Sequence, residues 1–156
     1  MHLSKFTDYA LRVCLYLGAH QDRLVPISEI AEAHKLSQSN LMKVVNQLVN
    51  GGFVQSTRGR SGGVALARSA ADIRVGDVVR YMEGETRLVD CASCILLGAC
   101  GLVAGLKEAK VAFYDALDRY SLADGILSHP RTLPILQGAA EGANRRLESP
   151  RRIRTR

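Results

Sequence analysis

The sequence predicts a mainly α chain with a small β-hairpin wing, in which three short helices and the hairpin come first and a long helix follows. Three observations predict this. Apolar residues recur at helical spacing three times before residue 51. A glycine-rich turn, Arg58-Gly-Arg-Ser-Gly-Gly63, separates two short β-prone runs. An apolar repeat of 4-3-4-3-4 spacing then runs from Leu102 to Tyr120. With 156 residues, 47% of them hydrophobic, the chain is expected to be one compact domain, or one small domain with an appendage, with enough apolar material for a core. It has no long apolar run and no apolar signal core after Met1, so a cytoplasmic location and no membrane partner are expected.

The first helix runs from about Ser4, a plausible cap, to Ala19. Phe6, Ala10, Val13, Cys14 and Leu17 share one face of it, which makes Cys14 a small buried hydrophobe. Pro26 to His34 forms a second, short helix with Ile27, Ile30 and Ala31 inward. Lys35-Leu-Ser37 is a tight turn, and Ser37 can cap a third helix from Gln38 to the stop at Gly51-Gly52. Leu41, Val44, Val45 and Leu48 are the buried stripe of that helix. Ser39, Lys43, Asn46 and Asn50 lie opposite, with Asn40 and Gln47 at the flanks. Two helices joined this way, the second with an amide-rich and acid-free outer face, follow the helix-turn-helix pattern. Asn and Gln can bond adenine edges, and Lys can reach guanine or phosphate. Taken alone, such a face is more commonly just a solvated one.

The hairpin raises the odds of a nucleic-acid role. Gly52 to Thr57 and Val64 to Ala67 read as its strands, directly after the third helix. Glycines at the turn, Gly62 and Gly63 among them, let the tip enter a groove or lie against a phosphate. Arg58 or Arg60 can insert into the minor groove. A nucleotide-cradling loop is the alternative, but no Gly-Lys-Ser/Thr ending follows the glycines. Residues 1–70 are therefore expected to be a winged helix-turn-helix region that binds double-stranded DNA.

Charge is distributed accordingly. The net +6 divides into +4 over residues 1–70, −3 over 71–128 and +5 over 129–156. From Lys35 to Gly63 there are four Lys or Arg and no acid at all, which suits a polyanion. The last zone holds three prolines and seven arginines and offers little to bury. It is expected to be a disordered basic tail, with DNA contact as a secondary role.

Residues 71–128 carry the second candidate site. Val75 to Met82 reads as a short amphipathic helix. After it come Cys91, Cys94 and Cys100, three thiols within ten residues. They can hold a soft metal, zinc or an iron–sulfur cluster, with the fourth ligand supplied from elsewhere. A redox-active dithiol at Cys91 and Cys94, or plain loop cysteines, are the alternatives. In the long helix, Leu102, Leu106, Ala109, Phe113, Ala116 and Tyr120 form the seam of a helix pair. The preceding region is too small to cover five turns well, so this is expected to be a long dimerisation helix. A two-fold dimer would present two recognition helices to a pseudo-palindromic operator. No residue pairs a nucleophile with a positioned base, so no enzyme is expected.

Several motifs, taken in order, carry a resemblance: Phe6-Thr-Asp-Tyr-Ala-Leu-Arg12, Ile27-Ser-Glu-Ile-Ala31, Val44-Val-Asn-Gln-Leu48, Arg58-Gly-Arg-Ser-Gly-Gly63, Ile73-Arg-Val-Gly-Asp-Val-Val79 and the three cysteines. Over about residues 1–128 the chain resembles the Rrf-two family of winged-helix regulators, and within it the nitric-oxide-sensing repressors. The resemblance implies a cytoplasmic homodimeric transcriptional repressor holding an iron–sulfur cluster through Cys91, Cys94 and Cys100, with [4Fe–4S] favoured over [2Fe–2S]. It implies a fourth ligand from Asp8 of the partner subunit. Without that role, Asp8 is an ordinary i, i+4 ion-pair partner of Arg12. A related branch ligates with a histidine beyond the third cysteine. None lies between Gly101 and Ser128 here, which favours the nitric-oxide branch. Only Ala92 and Ser93 separate the first two cysteines, a shorter spacer than is usual in that branch. Nitrosylation of the cluster would then release the dimer from operators of nitric oxide detoxification genes. The rival expectations are the same fold sensing iron, cluster supply or redox status, and a zinc- or dithiol-based redox protein of another class.

Overall fold

The computed structural model of the chain describes residues 2–84 and 88–138. Helix α1 (Lys5–Gly18) begins at the expected cap, where Ser4 Oγ accepts from the Thr7 amide at 3.1 Å. Ala10, Val13, Cys14 and Leu17 are buried as expected. Phe6 is not. It is 37% exposed, and Thr7 takes the inward place at full burial. The exchange works because the Thr7 hydroxyl donates to the Glu83 carboxylate, so a buried polar group is satisfied.

Helix α2 (Ile27–His34) ends at Lys35, whose left-handed φ of 53° turns the chain without a glycine. Helix α3 (Gln38–Asn50) follows. Ser37 occupies its N-cap position, but makes no capping bond; its hydroxyl pairs with that of Ser39 at 2.8 Å. Strands β1 (Val54–Thr57) and β2 (Gly63–Leu66) pair antiparallel, Val54 opposite Leu66 and Thr57 opposite Gly63. Val25 joins them through two 2.9 Å backbone bonds with Val64, fastening the hairpin to the loop before α2.

Beyond the hairpin come α4 (Val75–Glu83), α5 (Leu102–Leu117), α6 (Leu122–Leu127) and α7 (Thr132–Leu136). α1 runs through the middle of the molecule and packs on α2, α3, β2, α4 and α6. Leu17, Ile30, Leu41, Leu48, Ile73 and Leu122 are its best-buried large neighbours and contributors. α6 comes so close to α1 that a Cβ on Gly18 would lie 2.6 Å from Ile126 Cδ1.

The long helix differs from its expected form. It stops at Leu117, short of Tyr120, and none of its residues is buried. Leu106 and Phe113 of the expected seam are half-buried beside Tyr114 and Leu117, while Leu102, Ala109, Ala116 and Tyr120 are exposed, Leu102 to 71%. Arg80 of α4 holds the helix end, bonding Asp118 at 2.7 Å with its guanidinium 4.8 Å from the Tyr114 ring centre.

The tail also needs correcting. Residues 129–138, expected to be disordered, include α7, whose Leu136 packs against the core and whose neighbour Gln137 donates to the Ala19 carbonyl at 3.3 Å. Leu136 docks this stretch and Leu133 is half-buried beside it, while Ile135 stays exposed. The rest of that expectation, residues 139–156, lies outside the described residues. Among the described residues no helix is long and apolar enough to cross a membrane.

Candidate DNA-binding face and cysteine loop

The four buried residues of α3, Leu41, Val44, Val45 and Leu48, pin the helix to the core. Geometry then forces the remaining side chains outward. Ser39, Lys43, Asn46 and Gln47 are exposed, and Asn40 is half-buried at the flank. α3 packs on β1, so helix and hairpin form one piece. Phe53, which precedes β1, is buried and meets Tyr81 of α4 edge-on at 5.6 Å between ring centres.

Arg58 and Arg60 are exposed at the hairpin turn. The turn reverses at Gly59, with φ 119°, a glycine the sequence reading did not single out. Gly62 and Gly63 have a structural task. A Cβ on Gly62 would lie 2.3 Å from the Thr57 carbonyl oxygen, and one on Gly63 would lie 2.8 Å from that of Val25. Their bareness lets the second strand close against both. The exposed residues of α3 and of the hairpin turn therefore include amides, Lys43, Arg58 and Arg60 and no acid, with the chemistry to meet base edges and phosphates.

The cysteines sit between α4 and α5. Cys91 and Cys100 are half-buried, Cys94 is exposed, and all three are free thiols. They line one small hollow with Leu96, Leu97, Gly98 and Val103. Turn bonds shape the loop: the Cys94 amide donates to Cys91 O at 3.3 Å and the Leu97 amide to Cys94 O at 3.0 Å. The Asp90 carboxylate accepts from the Ala92 amide at 3.0 Å. Three soft donors around one hollow suit a thiolate-held metal group. Among the described residues, however, no three His, Cys, Asp or Glu side chains converge closely enough to hold a metal ion by themselves. Cys14 is chemically separate, since burial pushes its thiol up to about 12 and keeps it protonated.

Asp8 projects from α1, far along the chain from this loop, and forms the ordinary ion pair with Arg12 at 2.9 Å. The start of α1 is nevertheless tied to the loop's entrance. Glu83, the last residue of α4, accepts from the Ser4 amide at 2.7 Å as well as from Thr7. Burial disfavours its charge, yet these hydrogen bonds outweigh that and hold the carboxyl below its usual range. Sequence reasoning missed this tie, because nothing local marks a contact between residues 76 apart.

Comparison with known proteins identifies the family and the fold. A family model described as "Rrf2: Iron-dependent Transcriptional regulator" matches residues 3–126. The HTH-type transcriptional regulator NsrR of Bacillus licheniformis is 37% identical over 142 residues, covering 87% of this chain and 99% of that one. Among solved structures, T. potens IscR superposes with a TM-score of 0.65 at 27% identity, over 92% of this chain and 90% of that one. CymR, the global cysteine regulator of B. subtilis, gives 0.64 at 27% identity, over 80% and 95%.

Proposed function

Because this chain belongs to the Rrf2 family of DNA-binding transcriptional regulators, which are not enzymes, we propose that it is a homodimeric repressor whose grip on DNA is set by an iron–sulfur cluster and released by nitric oxide. The observation that carries this reading is a hollow lined by three free thiols, in the same small chain as an acid-free helix-and-hairpin face. α3 enters the major groove. Asn40, Asn46 and Gln47 read adenine edges, Lys43 takes guanine or phosphate, and Ser39 bonds base or phosphate. Arg58 and Arg60 reach the minor groove or its phosphates on a hairpin shaped by Gly62 and Gly63. Two such faces, related by the dimer axis, fit a pseudo-palindromic operator of nitric oxide detoxification genes.

Cys91, Cys94 and Cys100 would hold such a cluster as three of its ligands, and Asp8 of the partner subunit would be the fourth, with [4Fe–4S] favoured over [2Fe–2S]. A bound cluster would supply iron that nitric oxide attacks. The residues of the chain convert that event into movement. Asp8 has two alternatives: the ligand position in the other subunit, or Arg12 on its own helix at 2.9 Å. In the first it ties α1 of one subunit to the loop of the other. In the second the subunits are untied. Since α1 packs on α3, the choice sets the separation of the two recognition helices.

Two substitutions test these assignments. Arg60→Ala weakens operator binding and flattens the plot of log affinity against log salt by about 1.8, for two lost phosphate contacts per dimer; an unchanged slope removes Arg60 from the interface. Asp8→Ala costs the fold at most about 1 kcal/mol, since the main interaction it loses within its chain is an exposed pair with Arg12. The same variant shows altered visible bleaching by nitric oxide under anaerobic conditions. If bleaching and operator release match the parent protein, Asp8 is only the partner of Arg12.

The family description "iron-dependent" favours one second reading, a response to iron supply. An iron chelator that releases operator while nitric oxide does not would support it. Anaerobic purification tests the shared premise: a coloured protein with matching iron and sulfide content supports a cluster, and a colourless one with stoichiometric zinc contradicts it.

A further inference from the structure

Each exposed side chain of α3 is polar except one. Gln38, Ser39, Lys43, Asn46, Gln47 and Asn50 all offer donors or acceptors. Met42, among them, is 49% exposed. The core does not explain it, because Leu41, Val44, Val45 and Leu48 already form the complete buried stripe, and Met42 lies outside the cluster they belong to. It is the fifth of thirteen residues, in the first half of the helix, one turn from both Ser39 and Asn46. In a helix-turn-helix motif that half is the part that meets base edges.

Base edges in the major groove offer one strongly apolar feature, the C5-methyl of thymine. A flexible, polarizable thioether side chain suits contact with a methyl whose position shifts with local DNA shape. We propose that Met42 reads a thymine methyl in each operator half-site, so that α3 discriminates by apolar contact as well as by its amides. This rests on the DNA-facing role proposed above for α3. Asn46, one turn further on, can bond adenine through its amide, so the two side chains together specify an adenine–thymine-containing step rather than a single base. Met42 is the part that a hydrogen-bond code alone would not supply.

Deoxyuridine tests this directly, because it keeps every hydrogen-bonding group of thymidine and lacks only the methyl. The full chain, kept anaerobic, first selects a binding duplex from a random pool. Each thymine is then replaced by uracil, symmetrically in both half-sites. One symmetric pair is expected to weaken binding by about 15-fold, or about fourfold for each methyl no longer buried. With Met42→Ala the thymine duplex binds correspondingly more weakly and uracil at that pair makes no further difference, while other thymines keep their effects. Ala is a strong helix former at an exposed position, and an unchanged thermal midpoint verifies the fold. Met42→Gln, of similar length and polar, loses the discrimination too. The proposal is overturned if no thymine is uracil-sensitive, or if both variants keep the full penalty at every sensitive position. If the full chain selects no duplex at all, the DNA-facing role of α3 fails and Met42 with it.

Discussion

Cys94→Ser is expected to give a folded protein that is colourless after anaerobic purification and binds operator about 100-fold more weakly, at the upper end of usual coupling between two sites. The side chain is exposed and makes no core contact, so exchanging sulfur for oxygen has little consequence for stability. Its consequence for ligation is large, since a neutral hydroxyl is a poor donor where a soft thiolate is required. Cys14→Ser is the matched control. That thiol is fully buried and protonated, so the substitution places a hydroxyl in the core and lowers stability while leaving the colour intact. Anaerobic visible spectra and operator titrations of the two variants, side by side, separate the cofactor from the fold. A Cys94→Ser protein with parental colour and affinity contradicts the account.

Leu48→Ala is expected to destabilise the protein by about 3 kcal/mol, within the range for emptying a well-packed leucine site. The thermal midpoint, followed by circular dichroism, should fall by about 10 °C. Leu48 is completely buried on the inner side of α3, with Leu41, Val44 and Val45, and these four hold α3 against the core, α1 included. Met42→Ala, on the same helix but facing outward, should shift the midpoint by a degree or two at most. A small effect at Leu48 would mean that α3 is not packed as described.

The first half of the chain was largely legible in the sequence because its signals are local. Helical periodicity located α1, α2 and α3 to within a residue or two, and Ser4 and Lys35 marked a cap and a turn. What escaped was settled by tertiary context. Phe6 and Thr7 compete for one inward place, and Glu83, from the far end of α4, decides in favour of threonine. α5 is apolar around much of its circumference, so spacing alone could not say which flank its own chain covers. α6 did leave a signal that went unread. Ser121-Leu-Ala-Asp124 is a capping box, with the Asp124 carboxylate accepting from the Ser121 amide at 2.8 Å while Ser121 Oγ accepts from the Asp124 amide at 3.1 Å. α7 is ordered because Leu136 finds core to pack on, which composition could not disclose. For the cysteines, spacing predicted a shared loop but could not place the thiols around one hollow.

The most direct test of the central claim is a nitric oxide titration of the anaerobic protein bound to labelled operator, reading visible absorbance and fluorescence anisotropy on the same sample. The account predicts that bleaching and operator release rise together and reach completion at the same ratio of nitric oxide to protein. A protein–DNA complex that persists through complete bleaching would contradict it.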